Sequence, residues 1–296
     1  MSAGNGFKVG DFTIHKIVEE ERPFYDIKTY FPTLTDEVLA EHRDWLQACG
    51  AIDAQGQIVL CMQCYVVRTP QHTILVDSCI GNDKNLPHRP QWNRMNRPNF
   101  HNALAAAGVS VEEIDYVMCT HLHLDHVGWN TKLENGRWVP TFPNARYIFS
   151  KKEYAYWAEE TRNGAVTPMN DSVIPIVEAK RADLVASDFQ VNDHIRFLPT
   201  PGHTPDHYVI QLGRTGQDAV MTGDLMHSPL QAKIPELGMR VDFDSAMGGR
   251  SRRSFLQQYC DTDTLICPCH FPSPSVGRIS AWGDGFRFNF DQKQES

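Results

Sequence analysis

No apolar run in this 296-residue chain approaches the ~20 residues that a membrane-spanning helix requires, so no bilayer crossing is expected. Basic residues form no block. Lys and Arg number 28 against 36 Asp and Glu, a formal net charge of −8, and a nucleic-acid partner has no electrostatic footprint here. Residues Met1 to Gly6 lack the basic start and apolar stretch of a secretory signal. The eight cysteines are not the framework of a small secreted domain in a chain this long. Free thiols and a cytoplasmic location follow as expectations. Cys61-Met62-Gln63-Cys64 has no second pair to complete a zinc site, and it lies in the strand-like run Ile58 to Val67. These thiols, and Cys267 and Cys269 around Pro268, read as buried side chains. No linker-like stretch divides the chain.

What is present is an ample core: 41% of residues are hydrophobic. Strands and helices mix along the whole length, which reads as one α/β domain over 1–296. Strands are expected at 7–17 (with a turn at Gly10-Asp11), 57–69, 72–77, 114–120, 146–150, 195–199, 207–212, 219–222 and 264–269. Helices are expected at 99–107, 152–160 and 251–259, with 173–186 a further helical candidate. Segment 18–50 reads as irregular and then helical, with Thr35 or Asp36 as cap and Gly50 as stop. Lying outside the strand pattern, it suits a flap over a site or a dimerisation contact. Gly283-Asp284-Gly285 joins two strands into a C-terminal hairpin over 277–290. His72–Asp77 and Ala219–Asp224 are both short apolar strands ending in Asp, a hint of internal duplication.

The densest chemistry is His121-Leu122-His123-Leu124-Asp125-His126. Neutral imidazole and carboxylate suit zinc and similar divalent ions. On an extended chain past the strand, His121, His123 and Asp125 point to one side, because strand side chains alternate. A bend toward Gly128 brings His126 round. On a helix, His121 and Asp125 would share a face that His123 does not. The spacing therefore favours a strand-end metal loop. Other ligand-type residues stand where apolar strands stop: His203 in Pro201-Gly202-His203-Thr204-Pro205, Asp224 after Met221-Thr222-Gly223, and His270 after Ile266-Cys267-Pro268-Cys269. Strand ends are where sheet scaffolds carry sites.

Taken in order, His-x-His-x-Asp-His, Gly-His-Thr-Pro, Gly-Asp and a strand-end His resemble the metallo-β-lactamase-fold hydrolases over roughly residues 10 to 290. The layout is most similar to the acyl-homoserine lactonase and methyl parathion hydrolase branch. The resemblance implies a four-layer αββα sandwich. It also implies that His121, His123 and His203 hold one ion, that Asp125, His126 and His270 hold a second, and that Asp224 bridges both. Zinc is the first expectation, with iron, manganese or cobalt suited to the same donors.

Two divalent ions sharing a water lower its pKa, and the bridging hydroxide is expected to attack a lactone or other carboxylic ester. Asp125 is then a candidate for moving a proton. The lactonases carry a Tyr three residues after the bridging Asp, whereas this chain has His227. That makes His227 a candidate for protonating the leaving group or contacting the oxyanion. Phe24, Tyr25, Trp92 and Trp129 are candidates for an apolar pocket wall around a small ester-like substrate. The competing readings are a phosphotriester hydrolase and a non-catalytic metal-binding protein. The latter fits poorly, because structural zinc sites are usually closed and four-coordinate.

Overall fold

The computed structural model describes residues 6–214 and 216–291. The start of the chain, from which no secretory signal is read, lies largely outside them. The chain forms two compact units. One runs from the chain's start to Glu20 together with Met62–Ala186, the other is Glu21–Cys61 together with the chain from Ser187 onward. Among the described residues no helix is long and apolar enough to cross a membrane.

The early strands are β1 (Phe7–Val9), β2 (Phe12–Asp26), β3 (Gln57–Arg68), β4 (Thr73–Val76) and β5 (Tyr116–Met118). Next come a two-stranded hairpin, β6 (Thr131–Glu134) and β7 (Arg137–Pro140), then β8 (Arg146–Ser150) and β9 (Ala182–Val185). The first sheet has the order β1-β2-β3-β4-β5-β8-β9. The second sheet contains β10 (Gln190–Asn192), β11 (Ile195–Pro199), β12 (Tyr208–Leu212), β13 (Ala219–Gly223), β14 (Leu265–Pro268), β15 (Gly277–Trp282) and β16 (Gly285–Phe290), paired in chain order. Its last two strands are an antiparallel hairpin. Among the described residues eight α-helices accompany the sheets: α1 (Ile27–Tyr30), α2 (Asp36–Ala48), α3 (Asn99–Ala106), α4 (Leu124–Val127), α5 (Lys151–Arg162), α6 (Ile174–Glu178), α7 (Leu230–Lys233) and α8 (Ser245–Tyr259).

Local sequence explains most of these elements. β3 is apolar without alternation and is buried from Leu60 to Val67, as expected of an interior strand. The Thr35 hydroxyl accepts the Val38 amide and caps α2, whose first turn carries Asp36 and Glu37 against the helix dipole. Ser150 caps α5 in the same way. The two sheets share a local order. β3–β4 and β12–β13 are antiparallel, β4–β5 and β13–β14 parallel, and Asp77 and Asp224 follow the corresponding strands β4 and β13.

Three sequence expectations are corrected. Segment 18–26 is strand, not irregular, because its charges have partners. Glu19 is buried and accepts two hydrogen bonds, Glu20 meets Arg97 and Trp92, and Glu21 accepts from Ser273. Segment 173–186 is helical only to Glu178. Lys180 then takes a φ of 56°, and the chain leaves as β9, parallel to β8. Residues 131–140, given no element, form the β6–β7 hairpin around Asn135-Gly136, both at positive φ.

The first unit's core gathers Val66, Leu75, Phe100, Val117, Trp129 and Tyr147. The second unit's gathers Val220, Phe255, Tyr259, Ile266 and Phe288.

Candidate metal centre

In the first unit, β5 hands the chain to Cys119-Thr120 and then to the His-rich segment. The backbone is non-helical through His123, as the spacing suggests, but α4 begins at Leu124. The His126 amide closes that turn on the His123 carbonyl at 3.1 Å. Asp125 therefore does not continue the alternation of His121 and His123. The helical turn places it instead. All four side chains still converge. Ring centroids of His121 lie 4.6 Å from His123 and 4.1 Å from His126, and Asp125 Oδ1 lies 4.0 Å from His126 Nε2. His121 and His126 are buried, while His123 and Asp125 are partly exposed.

Asp77, just past β4, organises this cluster. Its Oδ1 accepts the Thr120 amide at 2.8 Å, and its Oδ2 lies 3.0 Å from His126 Nδ1. The loop after Asp77 packs directly against the segment after His126. The Ser78 amide donates to the His126 carbonyl, and the Gly128 amide to the Cys79 carbonyl. A Cβ at Gly128 would sit 1.7 Å from the Ile80 oxygen, so no larger residue fits there. Glu19 ties the same two segments, accepting the Ile80 amide at 2.8 Å and the Trp129 indole N–H at 2.6 Å. Burial pushes its carboxyl up to about 7, against those hydrogen bonds.

In the second unit three strand ends supply the residues. His203 follows β11 in a loop where Gly202 has a φ of 134°. A Cβ there would meet the Gly248 nitrogen of α8 at 2.1 Å. Asp224 follows β13, and His270 follows β14. Asp224 is the hub. Its Oδ2 lies 3.1 Å from His203 Nε2 and 3.0 Å from His227 Nε2, and its Oδ1 lies 2.9 Å from His270 Nε2. Asp224, His227 and His270 offer ligand atoms within 4.8 Å of one another. The His227 ring stacks on His270 at 4.9 Å and lies 5.8 Å from Tyr30.

The supports of this half had no signal in the sequence. Asp242 lies on the loop before α8, in no recognisable pattern. Its Oδ1 is 3.0 Å from His203 Nδ1, and its Oδ2 accepts the Met239 amide at 2.8 Å. His207 Nε2 accepts the Asp224 amide at 3.1 Å, which leaves its Nδ1–H for Thr200 Oγ1 at 2.8 Å. Gln231 accepts the His227 amide. The buried Arg252 donates to the carbonyls of Leu225, Pro235 and Leu237.

Charge in this unit favours a cation. Burial disfavours a protonated His203, yet the Asp224 and Asp242 carboxylates outweigh it and raise the ring to about 9. Burial lowers His227 to about 4 despite Asp224, so His227 is neutral at pH 7.

The donor set fits divalent ions. Nδ1 of His126 faces Asp77, Nδ1 of His203 faces Asp242, and Nδ1 of His270 faces the Cys61 carbonyl at 3.0 Å. Each partner accepts the Nδ1 proton and turns Nε2 toward the ligand position, the arrangement metal-binding imidazoles adopt; His203, which its two carboxylates hold protonated at pH 7, must shed its Nε2 proton before that atom can bind an ion.

Two proposed pocket aromatics are core instead. Trp129 is 3% exposed, stacks on Phe100 and donates to Glu19, while Trp92 is buried and donates to Glu20. Phe24 and Tyr25 are half-buried, beside Arg22 and Arg240. The cysteines are free thiols.

Fold and donor set define a class that sequence comparison identifies. The chain belongs to the Metallo-beta-lactamase superfamily, whose profile matches residues 63–270. It is similar to the N-acyl homoserine lactonase AiiA of Bacillus thuringiensis subsp. kurstaki, with 27% identity over 161 residues. That match covers 49% of this chain and 55% of the relative. The chain thus spans about half the length of the curated relatives it matches. Among solved structures, the hydrolase AbOPH of the beta lactamase superfamily matches 99% of this chain and 100% of its own, at TM-score 0.80 and 21% identity. AidC, a dizinc quorum-quenching lactonase, matches 97% of each chain at TM-score 0.77 and 21% identity.

Proposed function

We propose that this chain is a metal-dependent hydrolase that opens a lactone or another carboxylic ester of a small molecule. The observation that carries the reading is the Nδ1 anchoring of His126, His203 and His270, which presents each Nε2 as a ligand. His121, His123 and His203 would hold one divalent ion and Asp125, His126 and His270 a second, with Asp224 shared. Zinc fits these nitrogen and oxygen donors, as do iron, manganese and cobalt. When bound, two such ions supply Lewis acidity for the substrate oxygen and a nucleophilic water of lowered pKa.

The chain's own residues do the rest. Asp125, whose side chain is 18% exposed, would take up and deliver a proton. His227 is a candidate for contacting the oxyanion or protonating the leaving group, and burial keeps its ring neutral at pH 7. Its Nε2–H donates to Asp224 and orients that carboxylate.

The test is metal content per chain, followed by turnover of lactones, aryl esters and a phosphotriester with and without chelator. Two ions and chelator-sensitive ester cleavage are expected. Preference for the phosphotriester would move the substrate class. An Asp224→Ala variant that keeps two ions and full activity would overturn the ligand assignment.

A further inference from the structure

The second unit holds a cleft of about 730 Å³ that no ligand residue lines. That volume falls within the roughly 300–1,000 Å³ usual for small-molecule pockets. One wall is a face of α8 carrying Ala246, Gly249, Arg250 and Arg253, and Met239 and Arg240 lie across from it. Gly249 allows the walls to approach, since a Cβ there would stand only 3.2 Å from Glu236 Cα. The three guanidinium groups are not equivalent. Arg253 is held by Glu236 through two bonds, Nε at 2.5 Å and a terminal nitrogen at 2.8 Å. Arg240 and Arg250 form no ion pair among the described residues, and both are exposed. The cleft thus carries two guanidinium groups without a carboxylate partner, Arg240 lying 5.9 Å from the Tyr25 ring, over a wall that mixes Pro32, Met239 and Ala246 with Thr33, Ser245 and Ser254, in a chain of net charge −8.

We infer that this cleft binds a small molecule with an apolar body and one carboxylate, the carboxylate meeting Arg240 and Arg250. A planar guanidinium presents paired donors that match a carboxylate, and Met239 and Ala246 offer the apolar contact. The Arg240 amide donates to the Tyr30 carbonyl at 3.1 Å, and two residues on, Asp242 holds His203. An occupant therefore touches the segment that positions a proposed ligand. The inference concerns binding and stands apart from the hydrolase reading.

The test is isothermal titration of the full-length, metal-loaded protein with octanoate, with octan-1-ol as the uncharged control. One saturable octanoate site per chain is expected, with octanol weaker by about tenfold or more. Arg240→Ala with Arg250→Ala should weaken octanoate by a similar factor. Ala246→Phe, which puts a phenyl ring on the cleft wall beside Arg250, should weaken octanoate by about tenfold while the melting temperature holds. Ser254→Trp serves the same purpose if Ala246→Phe fails to fold. Absence of saturable binding overturns the inference, as does equal binding of octanol with no effect of the arginine changes. Octanoate binding that the Ala246 and Ser254 variants leave unweakened places the carboxylate elsewhere, metal ions included, and overturns it equally.

Discussion

Replacing Asp242 with Ala separates the supports of the second unit from its ligands. The side chain is 1% exposed and makes two bonds, 3.0 Å to His203 Nδ1 and 2.8 Å to the Met239 amide. Truncation leaves two buried donors without acceptors, at about 1–3 kcal/mol each. The expected loss of stability is thus about 2–6 kcal/mol in the metal-stripped protein, read by urea unfolding. The His203 ring also loses what fixes its tautomer. Loss of such an anchor typically weakens metal affinity about 10–100-fold. Asp242→Asn keeps one oxygen for His203 but turns an amide NH₂ toward the Met239 N–H. It should therefore recover more of the metal affinity than of the stability. The assay is competition with a chromophoric chelator. If Asp242→Ala holds its ions as tightly as the native chain and unfolds at the same urea concentration, the anchoring argument is refuted.

Two further outcomes follow from the first unit. Burial raises Glu19 to about 7 from 4.5, so the folded state keeps a proton that the unfolded state has released. Its contribution is complete below pH 4.5 and is lost as pH rises through 7, worth up to about 3 kcal/mol. Glu19→Gln should lower stability at pH 5, because one of the Ile80 and Trp129 donors must then face an amide NH₂, and it should remove that slope, so that the gap to the native chain closes toward pH 8. Parallel melting-temperature curves from pH 5 to 8, a window set by the shift to about 7, would contradict this. Gly128→Ala places a Cβ 1.7 Å from the Ile80 oxygen, and backbone must move. A loss of about 3 kcal/mol or more is expected, with reduced metal content because His126 is two residues away.

The candidate residues were legible because they stand at or just past the ends of apolar strands, and strands are signalled locally. His121 to His126 needed only six consecutive positions, and the runs before His203, Asp224 and His270 appear as β11, β13 and β14. What the sequence hid lies in long-range partners. Asp242 is 39 residues from His203, and Glu19 is 110 from Trp129. No local pattern marks a carboxylate whose partner is that distant. The polar run Glu19 to Arg22 reads as a loop until its partners are seen. The single turn of α4 runs into Gly128, which packs on Ile80 from a separate segment, a contact that no local pattern marks. The β6–β7 hairpin differs, since Asn135-Gly136 is a local turn signal, both residues taking positive φ.

The three anchored imidazoles also differ in what kind of genetic change can undo them. His126 hangs on the carboxylate of Asp77 and His203 on that of Asp242, so one codon can cut either tether. His270 hangs on a main-chain oxygen, which every amino acid at position 61 retains. Only a displacement of β3 itself removes it. A saturation scan should therefore find positions 77 and 242 intolerant of nearly every replacement, while position 61 accepts other small buried side chains.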